Sequence, residues 1–456
     1  MAPVKRGNRS PSPRIHIVLV PGFAGFDALG QMDYYAGVTP IFCQWQSKYP
    51  SAVLHYFDNF PTAAVKTRAQ RLRDYLAKRI ARGDFLDGDP IALVGHSTGG
   101  LDIRQLLMDL AAAERCPAEC TYAVDGTYGT EFAVSPGEIL KRIHRVVFLS
   151  VPQFGTNIAD WVRSHTPGRY AVIADLRAAV TTSQIPVIDQ LQNWLTGSVA
   201  QFSDLDLFYA MQDALSEAQP PVKADAWRRL SAQEADSQLA LYLRYIFTDF
   251  AAINDLSAEP YEGKATSPAH FDAATRAEEL KMWKSHAISA RSYASLGSRP
   301  FRFDPQTAAP PWSLLNPCRY PEITPSTSAR FGTDIVYRTV YRACAGGPFE
   351  YPDIAVPKPP VLEDAKGVEH KIAIWDNDGI VNTASMIWQN PKPNLGDIVL
   401  VHADHMDIVG HYKRELSSNP DTGRKYDVYD LLKSGSGFDS SCFEEVWEGV
   451  FEYCLG

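Results

Sequence analysis

Three short blocks of this chain hold side chains able to carry acyl-transfer chemistry. They are a serine in "LVGHSTGGL", two aspartates in "WDNDGIVNTAS" and two histidines in "VHADHMDIVG". A serine hydroxyl attacks a carbonyl well only when a base takes its proton, and that base is usually a histidine oriented by a carboxylate. Ser97, the pair Asp376 and Asp378, and the pair His402 and His405 follow one another along the chain in that order of roles: nucleophile, orienting acid, base. Spacing alone does not choose within either pair.

The elements that must position these groups can be read from the flanks. Ile91 to Val94 form an unbroken apolar run, as expected of a strand covered on both faces in a parallel sheet. Leu101, Leu106, Leu107 and Leu110 then recur at helical spacing, with Asp102, Gln105 and Asp109 on the other face. A strand therefore turns into a helix across Gly95, His96, Ser97, Thr98 and Gly99, and the small residues around Ser97 allow that tight turn. The pattern is a G-x-S-x-G nucleophile elbow, and the backbone N–H of Thr98, the residue after the nucleophile, is one expected oxyanion donor. "KIAIW" and "DIVLV" read as the strands that deliver the aspartates and the histidines.

Elsewhere, Ile15 to Val20 reads as a buried strand that stops at Pro21 and Gly22. Val65, Ala69, Leu72, Leu76 and Ile80 line one face of an amphipathic helix, with arginines and lysines on the other and Gly83 as a stop signal. Strand alternating with helix predicts an α/β fold, of the α/β-hydrolase kind, with a mostly parallel central sheet flanked by helices. Residues 14–156 and 366–456 are assigned to this core and residues 1–13 to a flexible N-terminal segment. Residues 157–365 break the rhythm with helical patches and proline-rich coil, and are assigned to an inserted cap or lid. That assignment rests on core-like strands resuming at "KIAIW".

The chain has 456 residues, 45% hydrophobic and 21% charged, with a net charge of −9, so it lacks the basic footprint of a nucleic-acid binder. Seven cysteines form no dense framework; Cys116 and Cys120 are read as ordinary thiols or one incidental disulfide. No stretch approaches the length of a membrane span, and no signal peptide is visible, so a cytoplasmic location is expected unless a leader has been removed.

Together "LVGHSTGGLDIRQLL", "FLSVPQFGT", "WDNDGIVNTASM" and "ADHMDIVG" resemble the secreted true lipases of staphylococci and thermoalkalophilic bacilli, with weaker likeness in "INDLSAE" and "SARSYASLG". The resemblance implies an α/β-hydrolase that cleaves carboxylic esters. It implies Asp378 as the aspartate that orients His405, and it places the second oxyanion donor at the N–H of Phe23 in "LVPGFAGF". Pro21 stands where those lipases usually have histidine. Phe23, Phe26 and Tyr34 are candidates for an acyl pocket or for core.

The resemblance also implies metals that this chain is not expected to keep. Those lipases hold zinc with two histidines and two aspartates, the histidines upstream of the nucleophile, whereas residues 58–95 here contain no histidine. Asp255 matches one zinc aspartate, and one carboxylate cannot hold zinc. Asp407 matches the first acidic ligand of their calcium site, but Tyr412 stands where a second aspartate belongs. No cofactor and no metal is therefore expected. The reading is a serine carboxylester hydrolase of lipase or esterase type acting on a small-molecule or lipid ester, with transient contact at a lipid interface. The same triad would serve a lactonase, a polyester depolymerase or an acyltransferase, and a non-catalytic binding protein is the rival from another class.

Overall fold

The apolar runs at residues 15–20 and 91–96 become two adjacent interior strands of a six-stranded sheet. The computed structural model describes residues 13–23, 25, 28–29, 32–115, 122–125, 131–164, 251–300, 335–353, 357–388, 397–412, 430, 432 and 434–456. In chain order the first half comprises β1 (Ile15–Val20), the small pair β2 (Ala28–Leu29) and β3 (Met32–Asp33), α1 (Val38–Gln46), β4 (Ala52–Tyr56), α2 (Val65–Ala81), β5 (Ile91–His96) and α3 (Thr98–Glu114). There follow the antiparallel pair β6 (Tyr122–Asp125) and β7 (Glu131–Val134), then α4 (Pro136–Leu140), β8 (Ile143–Leu149) and α5 (Asn157–Ser164). The second half adds α6 (Ala252–Leu256), α7 (Ala273–Ser285), β9 (Ser289–Ser295), α8 (Ile335–Ala345), the antiparallel pair β10 (Val361–Glu363) and β11 (Glu369–Lys371), β12 (Ile398–Val401) and α9 (Ser440–Leu455).

The main sheet runs in the order β12-β9-β8-β5-β1-β4, and every neighbouring pair is parallel. Alternate residues of each strand serve opposite faces, as a pleated strand requires. Val18, Val20, Leu93, Val146 and Phe148 pack with α2, α3 and α7 through Leu72, Leu76, Leu106, Leu107 and Trp283. Ile17, Leu19, Val94, Val147 and Leu149 pack with α1 and α9 through Phe42, Trp45, Trp447 and Phe451. A sheet covered on both faces explains why its central strands are almost wholly apolar.

Two expectations are corrected. β9 lies within residues 157–365, assigned from sequence to the cap, yet it pairs with β8 and β12 inside the main sheet. Its sequence "SARSYAS" hides this, because serines and an arginine replace the aliphatic run of a central strand. Conversely, "KIAIW" supplies no strand to the main sheet: only its first residue is in β11, which pairs with β10 alone. Most of the remaining cap assignment, including "DLDLFYAMQDAL" and the proline-rich 308–325, lies outside the described residues, as do Cys116, Cys120 and the segment 1–12. Among the described residues no helix is long and apolar enough to cross a membrane.

The two helices that flank the elbow differ from their sequence pattern at one point each. Arg68, assigned with the basic solvent face of α2, and Asp102, assigned to the polar face of α3, are both fully buried and paired at 2.9 Å.

Candidate active site

The elbow is built as its small residues require. Ser97 follows β5 with φ 53° and ψ −130°, a conformation that costs a residue bearing a side chain on the order of 1–3 kcal/mol and is held by its surroundings. Its N–H bonds the Leu149 carbonyl at 2.9 Å, and its carbonyl accepts from Gly100 N–H at 3.0 Å. A Cβ at Gly99 would stand 2.4 Å from the Val20 carbonyl oxygen, and one at Gly95 2.7 Å from the Gly100 nitrogen. The turn closes only because neither residue has one. Ser97 is buried, with 5% of its surface exposed.

Asp378 and His405 meet at 2.8 Å between Oδ2 and Nδ1. The carboxylate is saturated: Oδ1 accepts from the N–H groups of Ile380 (3.0 Å) and Val381 (2.7 Å), and Oδ2 accepts from Ser295 Oγ at 2.8 Å as well as from His405. Ser295 is backed by Ser150 at 2.5 Å. The His405 N–H bonds the Asp378 carbonyl at 3.0 Å, so backbone and side chain lock the two loops together. Residues 376–383 form the turn that aims Asp378. Gly379, with φ 96°, takes the left-handed corner, Asn377 Oδ1 accepts from the Gly379 N–H, and the Asp378 N–H bonds the Val381 carbonyl.

The competing members of each pair sit elsewhere. Asp376 receives Arg299 at 2.9 Å and the Ala373 N–H at 2.8 Å. His402 lies beside His370, half exposed.

Ser97 and His405 are brought together through His96. The rings of His96 and His405 are 4.6 Å apart, and His96 Nε2 donates to the His405 carbonyl at 2.9 Å. Tyr34 Oη lies 2.6 Å from His96 Nδ1 and accepts the Gly22 N–H at 2.9 Å. With Nε2 facing a carbonyl, His96 carries its proton there and leaves Nδ1 to accept from Tyr34. Burial pushes the His96 pKa well down, reinforced by the facing His405, and burial raises that of Tyr34. Both therefore act as neutral links joining the loop after β1, the elbow and the histidine loop. Ser97 Oγ itself makes no hydrogen bond to His405 here; such contacts commonly tighten only around bound substrate.

The loop after β1 is pressed onto the serine: a Cβ on Gly22 would lie 2.6 Å from Ser97 Cβ. Arg68 fixes this loop by donating to the carbonyls of Pro21 (2.7 Å) and Gly22 (3.1 Å), while Asp102 and Asn59 hold the guanidinium side of the network. This brace stands immediately before Phe23, whose N–H is the expected donor. Thr98 opens α3, where N–H groups precede the intrahelical ladder. Tyr34 is buried, with its hydroxyl bonded between the Gly22 N–H and His96; Phe26 lies outside the described residues. A cavity of about 240 Å³ lies nearby, lined by Leu296, Arg299, Asp376, His402 and Ser436 but not by Ser97.

Sequence reasoning missed Ser295, Ser150, Tyr34 as a link, and Arg68. A serine that closes a strand leaves no motif, and a buried arginine in an amphipathic helix reads as surface.

Asp255 is buried, and its Oδ2 accepts the Val65 N–H at the start of α2. At the other metal position, Tyr412 packs on Phe438 and Phe443, as its mismatch with an acidic ligand implies. Instead Asp404 and Asp430 gather beside Asp407, with candidate ligand oxygens within 4.8 Å. Asp404 is buried, and burial raises its pKa against the lowering effect of a Ser434 side-chain hydrogen bond. Three gathered carboxylates are the kind of oxygen donors that a hard dication such as calcium takes. These residues would hold it, and its charge would favour their ionised forms beside the His405 loop. Asp404 Oδ1 meanwhile accepts from the N–H groups of Met406 and Asp407, shaping the turn on which His405 stands.

A serine at a strand-to-helix elbow after β5 and a histidine on the loop after β12, in this strand order, make the fold an α/β-hydrolase fold. A scan against protein-family models finds no match, and a search of the curated proteins finds none. Among solved structures the chain is similar to Staphylococcus hyicus lipase, at 14% identity and TM-score 0.43, covering 98% of this chain and 97% of that one. It is similar to EstA from Clostridium botulinum at 17% identity and TM-score 0.38, covering 93% and 87%. It is similar to lipase 1 from Pelosinus fermentans at 16% identity and TM-score 0.38, covering 96% and 98%.

Proposed function

We propose that this protein is a serine carboxylester hydrolase of lipase or esterase type, working through Ser97, His405 and Asp378. The observation that carries the reading is the saturated Asp378 carboxylate holding His405 at 2.8 Å on a loop tied, through His96, to a strained serine elbow.

In this reading Ser97 Oγ attacks the ester carbonyl while His405 Nε2 takes its proton. Asp378 keeps the proton on Nδ1 and stabilises the imidazolium. The oxyanion of the tetrahedral intermediate is met by the N–H groups of Thr98 and Phe23, each contributing roughly 3 kcal/mol by mutational precedent. The imidazolium protonates the departing alcohol. Water, deprotonated by the same histidine, then releases the acid from the acyl-serine. The region between residues 157 and 365, less β9, is assigned the choice of acyl chain, since long chains need enclosed apolar surface.

The test is hydrolysis of p-nitrophenyl esters from acetate to palmitate by the wild type and Ser97→Ala side by side. The triad acts as a unit, so Ser97→Ala is expected to lower kcat on the order of 10⁶-fold. A long-chain optimum marks a lipase and a short-chain optimum an esterase. Retention of most activity in Ser97→Ala, or no reaction of folded wild type with any ester or with a fluorophosphonate, overturns the proposal.

A further inference from the structure

A second histidine and carboxylate cluster, outside the Ser97 site, carries metal-ligand chemistry. It joins Asp364 just after β10, His370 in β11 and His402 just after β12. Asp364 Oδ1 accepts from the N–H groups of Lys366 (2.9 Å) and Val368 (3.0 Å), which leaves Oδ2 to face the two imidazoles. That oxygen lies 2.9 Å from His370 Nε2 and 3.9 Å from His402 Nε2, and all three ligand atoms fall within 4.8 Å of one another. A tetrahedral zinc with bonds of about 2.1 Å needs ligand atoms ~3.4 Å apart. The two separations to Asp364 straddle that value, and the three ligand atoms lie within 4.8 Å of one another. A plain hydrogen bond explains His370 beside Asp364. It does not explain His402, which stands beyond hydrogen-bond reach of the carboxylate and edge to face against the other imidazole at 4.8 Å.

We propose that Asp364, His370 and His402 form a binding site for a transition-metal dication of the zinc class. Two imidazoles and one carboxylate favour such an ion over calcium or magnesium. The His402 side chain is 49% exposed, which leaves the fourth position open to water. The site is distinct from the zinc of the lipases that the sequence resembles, whose histidines lie upstream of the nucleophile. An ion here would tie the β10–β11 hairpin to the end of β12. Asp364 already bridges Leu400 there, two residues before the loop that carries His405 begins at His402. The proposal does not depend on the hydrolase reading.

The test uses the full chain, stripped with a chelator and titrated with Co²⁺ and then Zn²⁺, with no ester present. One equivalent of Co²⁺ is expected to give the visible absorption of a four-coordinate site, to be displaced by Zn²⁺, and to resist excess Ca²⁺. His370→Ala and His402→Ala, both at partly exposed positions, should keep their circular dichroism and each weaken Zn²⁺ binding by more than the 10–100-fold that losing an outer partner costs. Asp404→Asn should bind Zn²⁺ as the wild type does. Absence of binding by the wild type, or binding that survives both histidine variants, overturns the site.

Discussion

The loops after β11 and β12 carry one histidine and carboxylate cluster, and the outer side of β12 carries another. In the first, Asp378 is fully buried, accepts four hydrogen bonds and holds a histidine that is 5% exposed. In the second, Asp364 is 13% exposed and its two histidines 27% and 49%. The residue types are the same, but burial and saturation separate their chemistry. A carboxylate with every lone pair used fixes one imidazole in one tautomer, as a general base requires. A carboxylate with one oxygen turned to two open imidazoles presents free lone pairs, as a metal requires.

That contrast can be broken by experiment. Asp378→Asn keeps the shape but presents an amide to Nδ1, and is expected to lower kcat about 10⁴-fold with little change in fold. A loss under tenfold would mean that the buried cluster is structural. The brace comes next. Arg68→Met leaves Asp102 as an uncompensated buried charge, and chemical denaturation should show a loss of about 3–5 kcal/mol. If Arg68 also aims the Phe23 loop, kcat falls further than KM rises; a stability loss with normal kcat would confine Arg68 to the core.

Ser295→Ala removes one of the four donors to Asp378. Hydrogen bonds to charged groups contribute about 1.5–3 kcal/mol, so a fall in kcat of ~10–100-fold is expected, with KM nearly constant. An unaffected kcat would show that saturation of the carboxylate is not what orients His405. The smallest effect concerns a third cluster, His16 and His55 beside Asp89, where burial lowers His16 and pushes His55 down to about 4, with His16 also opposing its charge. The folded state resists protonation there, so the unfolded chain binds more protons as pH falls below about 6.5. Stability should therefore drop between pH 6.5 and about 4. His55→Gln is expected to flatten that slope in thermal melts, and an unchanged slope would assign it to other groups.

Much of the core was legible because its signals are local. The apolar runs of β1, β5 and β12 and the small residues around Ser97 need no distant partner to be read. β9 was not legible, because its serines and tyrosine are buried by neighbouring strands rather than by their own hydrophobicity. "KIAIW" misled for the converse reason: Ile372 is buried against Leu362 and Ile387 in a satellite cluster, so an apolar run formed without a sheet position.

The sequence by itself determined the elbow at Ser97, a parallel α/β core and the order of serine, aspartate and histidine, because each depends on residue type and short-range spacing. Its motifs also pointed to Asp378 and His405. Only the tertiary structure decided what the other members of each pair do, with Asp376 bonded to Arg299 and His402 set against the His370 ring of the β10–β11 hairpin. It alone placed Arg68 with Asp102 beneath the loop after β1 and gathered Asp404, Asp407 and Asp430. Those outcomes depend on which groups the fold removes from water and which partners it supplies, and neither is encoded in local spacing.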